Sequence, residues 1–507
     1  MQAIRPPRTV RKRMNTSPGP ILVWMRNSLR VNDSGILSRA ARSGGDVLPF
    51  LCTSDGWSGA EDTPRRRLLR SSIAALHGAL RRKNSALFML GEDPLSEIPR
   101  AASALGASAV YVTRSVDPAI RKLDGKLGSA LREIGCAMCE CDDAVIFGKD
   151  APRSASGSHY SVYTPYRNAW LARMQEAMPP VPAVVPPLSA LPRLRTCETL
   201  AGFRAVTPGG EPEALRALAR FGRSGLREYH RHRDMPAEEG TSRLSAHIAC
   251  GAISARTVLS AALGARGAAL RERNDPAAKA GSGPGAFIGE LIWREFFHQI
   301  MDHVPRVADE PYREEFSAFP WRRGTGAFGA WCEGTTGYPI VDAGMRQLRA
   351  EGWMHNRVRM IVASFLTKDL HIDWRRGEDH FFRWLVDADR ASNNGNWQWV
   401  AGTGTDAAPY FRVFNPVLQG RRFDPGGAYV RRYLPELGRV PDPFIHAPWE
   451  MSAAQQKACS FRPGKDYPRP VVDHAEERQA ALRMYREARL ARGAARDFPA
   501  VAAKGDT

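Results

Sequence analysis

The segment Ile21-Leu-Val-Trp-Met25, followed by the polar Arg26-Asn-Ser28, begins an alternating pattern that decides the fold of the N-terminal part. A short apolar run bounded by polar residues is typical of a buried strand, and regular alternation with helical segments indicates parallel βαβ units. We therefore predict an α/β domain with a doubly wound parallel sheet over residues 20–150. Its predicted strands are Ile21–Met25, Val47–Leu51, Ala86–Leu90, Ala109–Val112 and Ala144–Phe147, and its predicted helices are Ile36–Ala41, Arg66–Lys83, Leu95–Leu105 and Pro118–Glu133.

The rest of the chain has a different composition. Residues 1–19 form a basic arm that we expect to be disordered, and prolines crowd residues 151–212, which is typical of an interdomain linker. Residues 213–456 predict an all-α domain, and residues 457–507 predict one helix, Ala475–Arg492, with a loose end. The helices expected in the all-α domain are Glu213–Phe221, Leu244–Ala265, Phe287–Val304, Asp342–Glu351, Met354–Lys368 and Glu378–Ala391.

Composition limits the function classes. The 507 residues carry 72 Lys and Arg against 53 Asp and Glu, a net charge of +19. This excess favours a polyanionic partner, nucleic acid first, although solubility alone explains it equally well. Eight cysteines fit reduced thiols rather than a disulfide framework. With no apolar stretch of about 18 residues and no apolar segment after the basic N-terminus, we expect no membrane span and no secretory signal, and a cytoplasmic, DNA-associated protein.

The predicted helix Phe287–Val304 has two distinct faces. Four apolar side chains form one stripe, while Glu290, Trp293, Arg294 and Phe297 fall together on another face. A carboxyl, an indole and a guanidinium grouped in this way can form a recognition surface, and an indole is a stacking platform for a base. The alternative is an ordinary second packing face with a surface ion pair.

The segment Met354–Met360 places its arginines on different sides. Asn356, Arg357 and Met360 share one side of a helix, whereas Arg359 points elsewhere. One arginine can then face phosphate while the other turns inward. An inward Arg359 needs a buried acid, which Asp387 or Asp389 can supply.

The polar segment Asp387-Ala-Asp-Arg-Ala-Ser-Asn-Asn-Gly-Asn-Trp-Gln-Trp399 lies between apolar helices. Asn393 and Trp397 are four residues apart, and Trp399 projects roughly opposite to Trp397. One indole can therefore line an internal pocket and the other its mouth. The alternative is a helix-capping loop with two core tryptophans, because Asn-Asn-Gly is a good turn sequence.

Three shorter motifs carry less information. Gly240-Thr-Ser-Arg-Leu-Ser245 opens a helix with hydroxyls and an arginine, which suits a phosphate, although a plain helix N-cap is the commoner meaning. Gly402-x-Gly404-x-x-Ala407 follows no predicted strand, so we discard a dinucleotide fingerprint there. Cys136-x-x-Cys139-x-Cys141 lacks a second ligand pair, so we expect no metal site.

Several of these segments, in this order, resemble the photolyase/cryptochrome family, and most closely its class I cyclobutane-pyrimidine-dimer DNA photolyases. The resemblance covers about residues 20–450 and is dense from 229 to 424. The α/β domain followed by a helical domain agrees with it. The segments that carry it are Gly240–Ser245, Glu290-Leu-Ile-Trp-Arg-Glu-Phe296, Gly352-Trp-Met-His-Asn-Arg-Val-Arg-Met360, Asn393–Trp399, Gly402–Arg412 and Phe414-Asn-Pro416.

The resemblance implies non-covalently bound FAD in the helical domain. Asp387 and Asp389, with Ala388 between them, match positions at the flavin ring, and Arg359 is expected to pair with Asp387. Asn393 matches the residue that faces flavin N5, where Asn rather than Asp favours repair over signalling. Tyr229, Thr241, Ser242, Arg243, Leu244 and Ser245 match positions that hold the phosphates and the ribityl chain.

The resemblance also implies a binding site for a cyclobutane pyrimidine dimer flipped out of DNA. Asn356 and Met360 stand where the (6-4) enzymes carry a histidine pair, which favours the cyclobutane lesion. The expected lesion contacts are Glu290, Trp293, Asn356, Met360 and Trp399, the expected DNA contacts are Arg233, Arg294, Arg357 and Gln419, and the expected electron-transfer chain is Trp397, Trp374 and Trp321.

The expectation is therefore a monomeric enzyme that repairs DNA by light-driven electron transfer from reduced FAD. A photosensory cryptochrome and a DNA-binding helical protein with an empty flavin pocket are the alternatives. The chain departs from the family pattern after the first strand, where Ser28 and Ser34 replace Asp and Asn. The antenna pattern near Asp117 is also indistinct, so a second chromophore of folate or deazaflavin type is left open.

Overall fold

In a computed structural model of the chain, the described residues are 19–54, 62–176, 198–199, 209–273, 282–406 and 412–490. The expectations for the basic arm, for the proline-rich part of the linker and for the end of the chain lie outside these residues.

The N-terminal domain contains a six-stranded sheet in the order β5-β4-β1-β2-β3-β6. Strands β1 to β5 run parallel, with Ile21 of β1 opposite Val47 of β2 and Ala109 of β4, and β6 pairs antiparallel with β3. The predicted α/β class and parallel sheet are confirmed. The strands are β1 Ile21–Trp24, β2 Val47–Cys52, β3 Phe88–Leu90, β4 Ala109–Thr113, β5 Ala137–Cys141 and β6 Glu198–Thr199, and the helices are α1 Gly35–Arg42, α2 Pro64–Arg81, α3 Pro94–Leu105 and α4 Pro118–Glu133.

Both faces of the sheet are covered. Ile21 and Val23 belong to the core shared with the helical domain, whereas Leu22 and Trp24 pack into the core under α3 and α4. This alternation follows the two-residue period of a strand. Because both faces are buried, β1 is apolar throughout rather than alternating, and that made it recognisable in the sequence.

The predicted strand Ala144–Phe147 is wrong, because the fifth strand is β5, Ala137–Cys141. β5 is an edge strand with several partly exposed side chains, so it lacks the apolar run of a central strand. Ile146 and Phe147 are buried for another reason: they lie in a loop that packs into the shared core. The backbone N–H of Phe147 donates to the carboxylate of Glu295 (2.7 Å) instead of to a neighbouring strand.

The described residues from 209 to 490 contain helices and two isolated bridges, with no named strand, so the predicted helical domain is confirmed. Its main core is a separate cluster that includes Trp331, Trp374 and Trp397. The helices are α6 Gly210–Ser224, α7 Tyr229–His232, α8 Ser245–Ala249, α9 Ala255–Arg273, α10 Gly283–His303, α11 Thr325–Glu333, α12 Pro339–Glu351, α13 Asn356–Ser364, α14 Trp374–Trp384, α15 Arg390–Ala401, α16 Pro416–Phe423, α17 Ala428–Tyr433, α18 Ala453–Ala458 and α19 His474–Leu490.

Three predicted helices are interrupted. Leu244–Ala265 is two helices, α8 and α9, because Gly251 has φ +71° and lies so close to Asn27 that a Cβ would clash with its carbonyl. Glu378–Ala391 is also wrong, since α14 ends at Trp384 and Asp389 caps the start of α15. Met354–Lys368 continues from α13 into a π-helix, Phe365–Asp369.

The predicted linker is partly folded. Residues Tyr163–Glu176 form α5, whose Tyr166 and Trp170 are fully buried in the shared core. Glu295 of α10 ties this helix to the α/β domain. It accepts from Trp170 Nε1 (2.9 Å) and from the backbone N–H groups of Phe147 (2.7 Å) and Gly148 (2.9 Å).

We expect Glu295→Ala to destabilise the protein by at least about 2 kcal/mol, because two buried donors and one partly buried donor lose their acceptor. The midpoint of thermal or denaturant unfolding measures this. Glu213→Ala is the matched control, since Glu213 forms an exposed pair with Arg216 on α6. Equal effects of the two substitutions would contradict the structural role given to Glu295.

Candidate functional site

A cavity of about 460 Å³ lies between α7, α8, α10, α13 and α15. Its size is that of a site for a large ligand. Trp374, Trp321 and Gln419 do not line it. The predicted site residues that do are Tyr229, Arg233, Thr241, Ser242, Arg243, Leu244, Ser245, Glu290, Trp293, Arg294, Asn356, Arg357, Arg359, Met360, Asp387, Ala388, Asp389, Asn393, Trp397 and Trp399.

The inward arginine predicted from helix spacing is observed. Arg359 forms a two-pronged ion pair with Asp387, with Nη1 to Oδ1 at 3.1 Å and Nη2 to Oδ2 at 2.8 Å. Its Nε also donates to the Met354 carbonyl (2.8 Å). The Asp387 side chain is 4% exposed, so the ion pair with Arg359 compensates a nearly buried charge.

Asp389 is held from a second helix. It accepts from Arg294 (2.8 Å) and from His298 (3.0 Å), both on α10, and from the backbone N–H of Ser392 (2.9 Å). Burial alone would raise the pKa of Asp389, but His298 and Arg294 hold it well below its ordinary value. The carboxyl is therefore ionised at neutral pH.

Arg294 lines the cavity and binds Asp389, although the family resemblance led us to expect it to contact DNA. Besides its bond to Asp389, it donates to the Ala144 carbonyl (2.6 Å) in the loop after β5. The sequence reasoning missed His298. Its position one turn after Arg294 on the same helix was the available signal, because residues four apart share a face.

The polar run at Asn393 is the interior of α15 and not a turn, so the capping-loop alternative is wrong. Asn393 lines the cavity, and its Nδ2 donates to the carbonyl of Glu378 (2.9 Å). The Glu378 carboxyl is 2% exposed and pairs with Arg390 (3.3 Å), yet burial raises its pKa to about 7. The neighbouring Asn394 also donates to this carboxyl (3.2 Å).

The cavity is also lined by Glu290, Trp293, Asn356, Met360 and Trp399. Glu290 accepts from Arg233 (2.7 Å), and about a third of its side chain is accessible. Burial raises the pKa of Glu290 above its ordinary value, and Arg233 opposes that rise. These side chains combine one carboxyl group with an amide and with apolar and aromatic surfaces.

The arginines expected to contact DNA have protein partners. Arg357 pairs with Asp234 (2.9 Å) and stacks over Phe423, with 4.4 Å from Cζ to the ring centroid. Gln419 lies one turn before Phe423 on α16, outside the cavity. Arg233 and Arg357 line the cavity, and α16 carries two further arginines, Arg421 and Arg422, beside Phe423.

The three tryptophans of the expected chain come from separate elements. Trp397 is 2% exposed and packs so tightly on α14 that a Cβ at Gly377 would meet its indole. Gly377 lies one turn after Trp374, which is also buried. Trp321 is partly buried, and the backbone of its neighbour Arg322 bonds to His371, three residues before Trp374.

The segment Thr241–Ser245 lines one end of the cavity. No side chain caps the first turn of α8, whose N-cap residue is Leu244, so a simple Ser or Thr cap is wrong here. Ser242 instead accepts from the Leu244 N–H (3.3 Å). Arg243 stacks over Trp353, with 4.2 Å to the ring centroid.

The comparisons with known proteins agree with this geometry. The family model described as DNA photolyase matches residues 21–186, and that described as the FAD binding domain of DNA photolyase matches residues 287–487. A deoxyribodipyrimidine photo-lyase from Agrobacterium fabrum is 38% identical over 488 residues, which cover 93% of this chain and 98% of that protein.

The chain belongs to the photolyase/cryptochrome family.

Solved structures of the family superpose well on the chain. A class III photolyase from Agrobacterium tumefaciens matches with a TM-score of 0.83 and 36% identity, covering 95% of this chain and 100% of that one. A cryptochrome from Synechocystis matches with a TM-score of 0.78 and 29% identity, covering 92% and 99%. The relatives favour a DNA-repair photolyase over a photosensory cryptochrome.

FAD is the cofactor of this family's helical domain. The residues of the cavity fit it, because they offer paired acids and arginines, an amide at Asn393, hydroxyls at Thr241 and Ser242, and apolar surfaces. Ser392 also lines the cavity, and its buried Oγ has no hydrogen-bond partner within the described residues. An orphaned hydroxyl at this place is an available contact for a bound polar ligand.

Two further findings concern metal binding and membrane insertion. In the described part of the chain, no group of three His, Cys, Asp or Glu side chains is arranged to hold a metal ion. No described helix is long and apolar enough to cross a membrane.

The pKa of Glu378 is near 4.5 in the unfolded chain and is raised to about 7 in the folded protein, so the folded state binds the proton more tightly. The free energy of unfolding should therefore fall as the pH rises from about 4.5 to about 7. Glu378→Gln removes this dependence. We expect the variant to gain up to roughly 3 kcal/mol relative to the wild type between pH 5 and pH 8. Unfolding measured at both pH values tests this, and a difference that does not change with pH would contradict it.

Arg359→Ala leaves the carboxylate of Asp387 buried without its partner, so we expect the purified variant to retain much less FAD than the wild type. The ratio of flavin to protein absorbance measures the loss. Arg421→Ala is the matched control, because Arg421 pairs with Glu450 on the surface. Full FAD content in Arg359→Ala would contradict the role of the Arg359–Asp387 pair.

Proposed function

We propose that this chain is a deoxyribodipyrimidine photo-lyase that splits cyclobutane pyrimidine dimers in DNA by light-driven electron transfer from reduced FAD. One observation carries the proposal: a single cavity is lined both by charged and polar side chains, Arg359, Asp387 and Asn393, which we call the inner wall, and by aromatic side chains, Trp293 and Trp399, which we call the outer wall. The inner wall suits the flavin and the outer wall suits damaged bases.

The dimer would enter the cavity flipped out of the duplex, because stacked bases cannot reach a group inside the protein. Trp293 and Trp399 would contact its apolar faces. Glu290 would hold a pyrimidine carbonyl through a hydrogen bond, with Arg233 fixing its carboxyl. Asn356 and Met360 lie in the same wall, and the described lining contains no histidine, which supports the cyclobutane lesion.

When bound, FAD supplies the absorption of light and the electron that splits the dimer. The residues of the inner wall would bind and orient it. Arg359, held in place by Asp387, would offer its guanidinium to the flavin. Asn393, fixed by the Glu378 carbonyl, would offer its amide, and Asp389 is anchored by Arg294 and His298.

Trp397, Trp374 and Trp321 would carry electrons from the protein surface to the cavity and so return the enzyme to its active state. Trp397 lines the cavity, Trp374 lies one turn from the residue on which Trp397 packs, and Trp321 lies nearer the surface. Their placement on three elements supports this order.

DNA would bind through Arg233, Arg357 and Gln419 around the mouth, with salt-dependent affinity from phosphate contacts. We assign Arg294 to the inner wall instead.

Because one structural neighbour is a class III photolyase, we do not assign this chain to a particular class of photolyase. The monomeric state and the antenna chromophore stay predictions. In the α/β domain, Ser28 stands where the family pattern has an acid, and its hydroxyl donates to Asp143 (2.9 Å).

A repair assay with the FAD-loaded, chemically reduced protein tests the proposal. A dimer-containing oligonucleotide should recover intact thymines under blue or near-ultraviolet light and not in the dark. Equal recovery in the dark would overturn the mechanism. Flavin photoreduction without dimer splitting would favour a photosensory protein, and a protein that is colourless when purified would favour a helical DNA-binding protein without flavin.

Trp397→Phe should block photoreduction of oxidised FAD and leave repair by chemically reduced enzyme unchanged, because only the route of reduction is broken. Flash absorption and the repair assay separate the two effects. Trp449→Phe, a partly buried tryptophan of the same core, is the control and should photoreduce normally. Loss of repair in pre-reduced Trp397→Phe would contradict the assigned role.

A further inference from the structure

Tyr163, the first residue of α5, stacks flat against Trp293. The ring centroids are 3.6 Å apart, and the planes differ by 5°. Tyr163 therefore covers one face of the indole, so Trp293 offers the rest of its ring to the cavity that it lines. Phe296 stands edge-on to both rings, 5.6 Å from Trp293 and 5.8 Å from Tyr163. Neither ring can turn without breaking these contacts.

Tyr163 is itself held by two hydrogen bonds, one from its hydroxyl and one from its backbone N–H. Its hydroxyl donates to the Gly289 carbonyl (2.9 Å) on α10, one turn before Trp293. Its backbone N–H donates to Asp406 (3.0 Å), in the segment that follows α15 and Trp399. A second bond joins the same two segments, since the Thr405 hydroxyl donates to the Ser161 carbonyl. Tyr163 thus connects the helix that bears one tryptophan of the outer wall with the loop after the other.

Tyr163 is also isolated from solvent and from the chemistry of the inner wall. It is 8% exposed and does not line the cavity. Burial, together with the nearby Glu290, raises its pKa far above neutral, so the phenol stays protonated and keeps its bond to Gly289. Its ring contact with the cavity lining is made through the Trp293 indole that it supports.

We propose that Tyr163 is a positioning residue for lesion recognition, holding the Trp293 indole at the angle required to bind a cyclobutane dimer. The inference rests on the proposed function and extends it to α5, which precedes the helical domain in sequence. Because the contribution is made by ring stacking, an aromatic replacement should preserve it and an aliphatic one of similar apolar area should not.

Four variants of the FAD-loaded protein test this: we would measure their binding to a dimer oligonucleotide and to its undamaged counterpart in the dark. Tyr163→Leu should weaken dimer binding by about 2- to 12-fold, the worth of one aromatic pair. Its FAD content and its affinity for undamaged DNA should not change. Tyr163→Phe, which retains the stack and loses only the hydroxyl, should bind within about twofold of the wild type.

Trp293→Leu closes a double-mutant cycle. If Tyr163 acts through the indole, Tyr163→Leu should cost less than about twofold when added to Trp293→Leu. An equal cost in both backgrounds, equal loss of undamaged-DNA binding, or a Phe variant as weak as Leu would overturn the inference. A wild type that neither prefers nor splits the dimer would overturn the proposed function, and this inference with it. A wild type that does both, with Tyr163→Leu identical to it, would overturn the inference alone.

Discussion

Charge compensation inside the helical domain is the constraint on which the site depends. Two nearly inaccessible carboxylates, Asp387 and Asp389, face one cavity, and an unpaired buried charge costs several kcal/mol. Each is held by a cation from a different helix: Arg359 from α13 and Arg294 from α10. These pairs fix the mutual positions of α10, α13 and the start of α15. The cavity lies between these helices, whose apolar side chains pack into the hydrophobic cores of the protein.

The two walls of the cavity are built with different chemistry. Ion pairs and a fixed amide make the inner wall rigid and polar, as binding of a charged cofactor requires. Stacked aromatic rings make the outer wall rigid and apolar, and Glu290 is its acidic group. Both walls use α10, because residues three and four apart on one helix share a face: Glu290, Trp293, Arg294 and Phe297 all line the cavity. In the proposed function, this one helix would therefore link cofactor binding to lesion binding.

The sequence pattern predicted the domain classes, while the resemblance to the photolyase/cryptochrome family supplied most of the predicted cavity residues. β1 is buried on both faces and so is visibly apolar, and the spacing of Arg357 and Arg359 allowed one arginine to turn inward. The errors arose where tertiary contacts override local pattern. β5 is an edge strand without an apolar run, while Phe147 is buried in a loop because Glu295, distant in sequence, binds its N–H. His298, Glu378 and Tyr163 were missed for the same reason, since their partners lie on other elements. Arg294 was expected to contact DNA because of the family resemblance, and the sequence spacing could not show that Asp389 lies beside it.

The central claim is that FAD and the damaged bases share this one cavity. The most direct test is the excited-state lifetime of reduced FAD in the protein, measured with saturating dimer oligonucleotide and with the same strand undamaged. The account predicts a shorter lifetime with the dimer alone, because only a lesion in contact range accepts the electron. An unchanged lifetime with the bound dimer would contradict it.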